Sequence, residues 1–285
     1  MKIAITGASG QLGQFVIDAL LKEINPSSIV ALVRHESKAA YLKEKGIELR
    51  HFDYDQPETL APALQGIDKV LLISANEIGR RTPQHKAVIE AAQKAGVKYI
   101  AYTSLLQADI SPLGLAEEHR ETEALIKQSG LTYTFLRNNW YSENYLASIA
   151  HTAETGTLYG SANNGKISSA SRQDYAEAAA KVLITEGHEN KTYELAGSNS
   201  FTLTNLASYI ANASGKAVKY QNISPADYTK ALNDAGLPAG LVEVIVDADI
   251  QAEQGAMYSD SKDLEQLIGR QSTPIELVIQ QLLNH

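Results

Sequence analysis

Three glycines near the amino terminus have the spacing of a phosphate-binding loop. Gly7, Gly10 and Gly13 follow a short apolar run, Ile3–Thr6, and precede apolar residues at helical spacing. Glycine lets the chain turn sharply after a strand and lets backbone approach a pyrophosphate without an intervening Cβ. The helix that follows directs free N–H groups and the positive end of its dipole toward the phosphates. The loop predicts a dinucleotide site, the alternative being a tight strand-to-helix turn with no ligand.

The end of the second predicted strand indicates which dinucleotide binds. An NAD site places Asp or Glu there for the adenosine ribose hydroxyls, whereas this strand ends in Val33, Arg34 and His35. A guanidinium suits a 2′-phosphate, and Lys38 could assist it. The sequence therefore predicts NADPH, with Arg34 on the 2′-phosphate. The alternative is that Arg34 is a solvated surface residue.

A second question is whether the sequence places residues for proton exchange near the predicted dinucleotide. A Tyr-x-x-x-Lys pair, in which the lysine lowers the pKa of the tyrosine, occurs at Tyr41 and Lys45, on the helix after the second strand. That position is too early in the fold to reach a nicotinamide. The helix after the fifth strand instead carries His119 and Glu123 at the same spacing. They are either a surrogate acid–base pair or a salt-bridged or exposed helix pair, and the acidic residues around them favour a solvated face. Catalytic residues therefore stay unassigned.

Composition excludes several other kinds of chemistry. The 285 residues include no cysteine, so disulfides, thiolate nucleophiles and zinc–thiolate sites are excluded. The seven histidines are scattered, which predicts no metal site. A net charge of −8 without a basic run predicts no nucleic-acid partner. No apolar stretch approaches the roughly 20 residues of a membrane helix and no signal-peptide pattern opens the sequence, so we expect a cytoplasmic protein.

Strand and helix patterns alternate through the first half of the chain and must position the loop. Short apolar runs predict buried strands, and apolar residues at helical spacing predict the helices between them. Gly46, Gly66, Gly96 and Gly130 each precede an apolar residue, as expected of a left-handed glycine that ends a helix before the next strand. The predicted strands are 3–6, 29–33, 47–52, 69–74, 99–103, 133–137 and 192–196, and the predicted helices are 12–20, 36–45, 57–64, 84–95, 116–128 and 174–184.

Continuous apolar strands alternating with helices are typical of a parallel sheet covered on both faces. We therefore predict the α/β class, a Rossmann-type doubly wound parallel sheet with a smaller C-terminal substrate lobe. The NADP-binding domain is expected at 1–140, with 171–200 returning to it, and the smaller lobe at 141–170 and 201–285. Three glycines predict a loop or hairpin at 156–166, and residues after 201 are predicted to form helices without strand alternation, one starting near Thr204.

Several segments together resemble the NmrA-like group of atypical short-chain dehydrogenases/reductases. They are the glycine loop Thr6–Gly13, the pair Val33-Arg34, and the stretches Ala101–Leu105, Phe135–Tyr145 and Glu194–Gly197. The loop is shared by a very broad superfamily, whereas the 135–145 stretch is much more specific. The resemblance runs over the whole chain and implies an enzyme that uses NADPH to reduce a quinone or a similar conjugated acceptor.

The resemblance also implies which residues bind the cofactor. The pyrophosphate would be held by Gly7, Ala8, Ser9, Gly10, Gln11 and Leu12, and the 2′-phosphate by Arg34. The rest of the cofactor would contact Ser74, Ala75, Asn76, Asn138, Ser169, Arg172 and Asp174. These positions are strand carboxyl ends or nearby loops, where a doubly wound sheet binds its ligand.

Two groups of residues are candidates for the acceptor side. Trp140 and Tyr141, with Tyr145, follow the sixth strand and would form an aromatic wall for a planar acceptor, the alternative being ordinary core packing. Gln84 and His85 open the helix after the fourth strand and would face the acceptor, although a histidine there is more often a helix cap or a surface residue.

Three hypotheses for function follow. Direct hydride donation to a quinone-like small molecule does not demand a Tyr-Lys pair, because the protein contributes mainly proximity and orientation. A non-catalytic NADP(H) sensor fits the missing pair equally well. The absence of a correctly placed Tyr-Lys pair argues against the third hypothesis, a sugar-nucleotide epimerase. The physiological acceptor and the oligomeric state stay open, and a homodimer is the assembly to test.

Overall fold

The chain divides into two compact units in a computed structural model that describes residues 1–283. Unit 1 comprises Met1–Ala108, Glu117–Asn138 and Arg172–Glu194. Unit 2 comprises Asp109–Ala116, Asn139–Ser171 and the chain from Leu195 onward. The sequence predicts a domain boundary at 140, with cofactor binding by the domain before it and substrate binding by the smaller lobe after it. This assignment of roles stays a prediction.

Nine strands and twelve α-helices occur in the described residues. The strands are β1 (Ile3–Ile5), β2 (Ile29–Val33), β3 (Glu48–His51), β4 (Lys69–Leu72), β5 (Tyr99–Leu105), β6 (Thr132–Asn138), β7 (Thr157–Gly160), β8 (Lys191–Leu195) and β9 (Lys219–Asn222). The helices are α1 (Gln11–Leu20), α2 (Ala40–Glu44), α3 (Leu60–Ala63), α4 (Arg81–Ala95), α5 (Ala116–Gln128), α6 (Leu146–Thr155), α7 (Arg172–Ile184), α8 (Leu203–Ser214), α9 (Pro225–Asp234), α10 (Ala239–Glu253), α11 (Asp263–Ile268) and α12 (Ile275–Leu283).

A seven-stranded sheet is the main element of unit 1. Its strand order is β3-β2-β1-β4-β5-β6-β8, and β1 to β6 pair in parallel. The order reverses at β1, which pairs with β2 on one side and β4 on the other. In a doubly wound sheet this reversal opens a crevice beyond the carboxyl ends of the strands, where ligands bind. The predicted Rossmann-type parallel sheet is confirmed.

Every residue of β1, β2 and β5 is buried, because helices cover both faces of the sheet. Helix α1 packs against α7, and α3 packs against α4. The four glycines expected to end helices have φ values of +81°, +72°, +79° and +73°, as the left-handed conformation requires. Helix α4 begins at Arg81, three residues before the predicted start at Gln84, because Pro83 is tolerated in the first turn of a helix.

The sequence prediction departs from the structure mainly in unit 2. Of the loop or hairpin predicted at 156–166, the hairpin is wrong, because β7 pairs in parallel with β9, a strand about sixty residues away, as in the pairing of Thr157 with Lys219. Residues 161–166 form a loop. Strand β9 was not predicted, since three of its four residues are exposed and it has no apolar pattern. Helix α8 begins beside the predicted Thr204, with the Thr202 Oγ1 accepting the Asn205 N–H.

A buried ionic network joins β5, β6, β8 and α5 in unit 1. The Arg137 guanidinium donates to both Glu123 carboxylate oxygens, at 2.9 and 2.8 Å, and to Glu194 at 2.7 Å. Glu123 also accepts the Ser104 hydroxyl at 2.6 Å. The Arg137 and Glu123 side chains are 8% and 5% exposed, so each charge depends on its partner for compensation.

Glu123→Gln should therefore destabilise the protein strongly. Loss of one buried charge leaves Arg137 without its bidentate partner, and we expect a loss of about 2 kcal/mol or more in the free energy of unfolding, measured by urea denaturation. The matched control is Glu90→Gln on α4, where the exposed pair with Lys86 contributes less than about 0.5 kcal/mol. Equal losses in the two variants would contradict the role assigned to the network.

Candidate functional site

The glycine loop forms the turn between β1 and α1. Gly7 has φ +58°, and the Gly10 N–H donates to the Gly7 carbonyl at 2.9 Å. Gly10 is the N-cap of α1, no side chain caps the helix, and its first turn contains no acidic residue. The first N–H groups of a helix have no intrahelical partner, so the start of α1 is suited to an anion.

Gly13 is required by packing within this turn. A Cβ at Gly13 would lie 2.3 Å from the Gly7 carbonyl oxygen and 2.8 Å from the Ala8 Cα, both of them backbone atoms. The same addition at Gly10 would lie 3.2 Å from the Gly7 oxygen, a much milder contact. The third glycine therefore keeps α1 close to the loop, as in dinucleotide-binding turns.

The segment after β4 is held by side chains from neighbouring elements. The Ile73 N–H donates to the Thr6 Oγ1 at the end of β1, at 2.9 Å. The Ser74 N–H donates to the Thr103 Oγ1 on β5, also at 2.9 Å. Each hydroxyl replaces a sheet partner that the backbone loses where the strand ends. Ser74 thereby has a defined position at the carboxyl edge of the sheet.

Ala75 is held at both its backbone groups by α4. Its N–H donates to the His85 Nε2 at 2.9 Å, and its carbonyl accepts the Arg81 Nε at 2.5 Å. His85 is fully buried, so the expectation of a cap or surface histidine is wrong. Asn76, the next residue, is exposed. The fold thus brings Ser74, Ala75 and His85 together beside the loop that follows β4.

Two buried amides near this edge have atoms without a hydrogen-bond partner among residues 1–283. In Gln84, in the first turn of α4, neither amide atom has a partner. In Asn138, the last residue of β6, the Oδ1 has none. Both side chains are 5% exposed. A buried polar group without a partner costs about 1–3 kcal/mol, and such groups at a sheet edge are typical of a ligand site.

Arg34 is exposed immediately after β2, which fits a 2′-phosphate ligand and the alternative of a solvated surface residue equally, so its role stays a prediction. No acid adjoins it in sequence, but the fold brings the Glu77 Oε1 within 4.0 Å of its Nη1. Glu77 also binds Arg80 at 2.7 Å. Because exposed ion pairs contribute little, Glu77 does not prevent Arg34 from binding a phosphate.

The α7 candidates lie at the start of that helix in unit 1. Arg172 is its first residue and is half-buried, and Asp174 is fully buried in its first turn. A carboxylate in this position is favoured by the helix dipole. Contact of either residue with a cofactor stays a prediction.

The remaining candidates lie in unit 2, where residues 139–142 run beside 168–170. Tyr141 bridges to Ala170, and the Ser142 and Ser169 hydroxyls lie 2.8 Å apart. Trp140 and Tyr141 are both half-buried. Ser169 also lines a cavity of about 320 Å³ that neither Trp140 nor Tyr141 lines. The aromatic wall for an acceptor stays a prediction.

His119 and Glu123 do not form the solvated face expected from the sequence. They are 5% and 4% exposed, and Glu123 is the partner of Arg137 described above. The His119 Nδ1 lies 2.7 Å from the Tyr102 hydroxyl, on β5. Burial, reinforced by the nearby Arg81 charge, holds the pKa of His119 well below its usual value, and burial raises that of Tyr102. Both groups are therefore poorly suited to exchange a proton at neutral pH.

The Tyr41 and Lys45 pair is likewise not an acid–base pair. Burial raises the pKa of Tyr41, opposing the lowering by Lys45. Lys45 binds Asp18 at 2.7 Å. Lys45 is exposed, as expected of a residue on a solvated helix face. Tyr41 is half-buried, and its hydroxyl has no hydrogen-bond partner in the described part of the chain.

Several residues of the site were missed from the sequence. Thr6 and Thr103 are polar residues near the carboxyl ends of strands, a signal that the sequence offered for both. Arg81 could have been recognised as a basic residue at the start of a helix that follows a strand. Thr122, which contacts His85 from α5, carried none, because only the packing of two helices brings them together.

Two other kinds of functional feature are absent from residues 1–283. No group of three or more His, Asp or Glu side chains in residues 1–283 is arranged to hold a metal ion. None of the helices in the same residues combines the length and apolarity needed to span a membrane.

The strand order, the parallel pairing and the glycine loop after β1 define a Rossmann-like α/β protein. A sequence profile of the NmrA-like family matches residues 1–276. The chain belongs to the NmrA-like family, and the resemblance inferred from the sequence is confirmed.

Relatives in this family match over the full chain. Quinone oxidoreductase 2 of Escherichia coli (strain K12) is 53% identical over 282 residues, 99% of this chain and 99% of that protein. The crystal structure of an NADPH-dependent quinone oxidoreductase from Escherichia coli, complexed with NADPH, has a TM-score of 0.97 at 53% identity, covering 99% of this chain and 100% of that one. Citrobacter sp. triphenylmethane reductase complexed with NADP(H) has a TM-score of 0.95 at 39% identity, covering 99% and 100%.

The packing of the loop makes Gly13→Ala a test of its function. The new Cβ meets backbone atoms that cannot move independently, so we expect a loss of about 1–3 kcal/mol in unfolding free energy and at least about a tenfold loss of NADPH affinity. Cofactor fluorescence and urea denaturation measure the two effects. Gly240→Ala on α10 is the control, since a Cβ there meets nothing within 4 Å and alanine favours a helix. If Gly13→Ala bound NADPH as tightly as the wild type, the glycine loop would not be part of the cofactor site.

Proposed function

We propose that the chain is an NADPH-dependent oxidoreductase that reduces a quinone or a similar conjugated small molecule. The observation that carries the proposal is its full-length likeness, at 53% identity, to an Escherichia coli enzyme described as an NADPH-dependent quinone oxidoreductase. The residues of unit 1 fit that cofactor, since the start of α1 is uncapped and free of acidic residues, and the buried Gln84 and Asn138 amides retain atoms without a protein partner.

The chain's own residues have three roles in this proposal. The glycine loop, Gly7 to Leu12, binds the pyrophosphate through backbone N–H groups. Arg34 binds the 2′-phosphate. Ser74, Ala75 and Asn76 line the nicotinamide side, with Asn138, Arg172 and Asp174 as further contacts in unit 1. When bound, NADPH supplies a hydride from the C4 of its nicotinamide.

The acceptor class follows from the state of the buried polar residues. Reduction of a simple carbonyl requires a group that delivers a proton near neutral pH. His119 is held neutral, Tyr102 has a raised pKa and Glu123 is engaged by Arg137, so these residues do not supply one. An electron-poor quinone accepts the hydride directly and takes its proton from solvent, so the protein need only orient the reactants. Gln84, with both amide atoms unpartnered, is the candidate to bind an acceptor carbonyl.

Steady-state kinetics test the proposal. Purified protein should oxidise NADPH faster, followed at 340 nm, when a quinone is added, and NADH should be clearly poorer. The panel should also include a triphenylmethane dye and an aldehyde, of which the aldehyde is expected to be inactive. If no quinone or dye accelerates oxidation while NADPH still binds, the enzyme hypothesis fails and the alternative of a non-catalytic NADP(H) sensor is favoured.

Arg34→Glu tests the choice of cofactor. Loss of a charge-assisted bond to the 2′-phosphate should weaken NADPH binding by about 10- to 100-fold, and NADH binding should change much less because it has no 2′-phosphate. Arg80→Glu is a matched control, since Arg80 has the same exposure, 57%, and the same neighbour, Glu77. If the two variants weaken NADPH equally, or Arg34→Glu weakens both cofactors equally, the assigned role is wrong.

A further inference from the structure

We propose that His85 is a positioning residue that holds the Ser74–Asn76 segment in place as a neutral imidazole with one defined tautomer. The proposal rests on the function proposed above, in which that segment lines the nicotinamide. It differs from the role expected from the sequence, in which the histidine itself faces the acceptor.

The hydrogen-bond partners determine which ring nitrogen carries the proton. The His85 Nε2 lies 2.9 Å from the Ala75 backbone N–H, which can only donate, so Nε2 must be an unprotonated acceptor. The Thr122 hydroxyl donates to the Glu118 carbonyl at 2.8 Å. That hydroxyl oxygen is therefore left to accept from the His85 Nδ1–H, at 2.9 Å.

These bonds form a chain across three elements of unit 1. It runs from the Ala75 N–H through the His85 ring and the Thr122 hydroxyl to the Glu118 carbonyl on α5. The Glu118 carboxylate binds the chain further along, since it accepts the Gly79 N–H at 3.1 Å and the Arg81 N–H at 2.9 Å, at the start of α4. Glu118 thus attaches the chain between β4 and α4 to α5 at two places, through its carbonyl by way of Thr122 and His85 and through its carboxylate directly.

The surroundings of His85 keep the ring neutral. It is fully buried and packs edge-on against the Tyr102 ring. Arg81 from α4, His119 from α5 and Tyr102 from β5 are the charged or titratable groups beside it, and the Glu118 carboxylate is engaged at the helix start. Burial, with the Arg81 charge, lowers the pKa of His85 to about 3. Protonation would place a hydrogen on Nε2 against the Ala75 N–H and break the chain of bonds.

The tautomer can be observed directly in the wild-type protein. Long-range ¹H–¹⁵N correlation of ¹⁵N-labelled protein should show His85 protonated at Nδ1 and unprotonated at Nε2 at every pH from 5 to 8, with the signal assigned by its loss in His85→Phe. A His85 ring that carries its proton on Nε2, or that titrates within this range, would overturn the proposal. This measurement determines the tautomer of His85 whether or not the protein reduces quinones.

Kinetics then test the positioning role. His85→Phe keeps a planar ring but removes the acceptor for the Ala75 N–H, so kcat for quinone-dependent NADPH oxidation should fall at least about tenfold. The dissociation constant of NADPH should change less than about threefold, because the glycine loop and Arg34 are untouched. His85→Gln, whose Oε1 can accept the Ala75 N–H, should recover most of the lost rate. A folded His85→Phe variant with kcat within twofold of wild type would refute positioning.

Thr122 provides a second pair of variants if His85→Phe does not fold. Thr122→Val removes the acceptor for the Nδ1–H at nearly constant volume, and Thr122→Ser retains it. We expect Thr122→Val to lower kcat without a matching change in NADPH affinity, and Thr122→Ser to recover most of that loss. Equal kcat in the two variants would contradict the chain of bonds. If the wild-type protein itself shows no quinone-dependent oxidation, the proposed function fails, whereas the tautomer measurement still decides the state of His85.

Discussion

The backbone just beyond the end of β4 constrains the rest of the site. In a parallel sheet, N–H groups past the end of a strand lose their ladder partners, and when buried they must be satisfied by side chains. Here Thr6, Thr103 and His85 accept the N–H groups of three successive residues, 73 to 75. The segment next to the sheet reversal therefore takes its conformation from β1, β5 and α4 together.

Helix α5 has a different use here from the one its position suggests. The sequence places His119 and Glu123 on this helix at the spacing of a proton-exchanging pair. In this chain its inward-facing Glu123 is bound to Arg137, and its Thr122 and Glu118 support the segment after β4. Polar groups that could exchange protons are thus engaged in hydrogen bonds or held neutral by burial. This arrangement suits a reaction whose chemistry comes from the cofactor and whose protein supplies orientation.

Much of unit 1 could be predicted because its signals are local. The Gly7, Gly10 and Gly13 spacing predicted the turn after β1, and the alternation of apolar runs predicted the parallel sheet. Strand β9 could not be predicted, because its four residues are mostly exposed and its partner β7 is distant in sequence. The anchoring of Ala75 by His85 was also hidden, since it depends on the rotation of α4 against the sheet.

The sequence by itself determined the class of fold, the glycine turn after β1 and the basic residue after β2. Glycine sterics and strand periodicity are properties of neighbouring residues, and tertiary contacts did not alter them. Only the tertiary structure decided the states of His85, His119 and Glu123, which looked from the sequence like surface or reactive groups. The protonation of a side chain depends on which elements exclude water from it and which partners they bring, and those partners lie on other strands and helices.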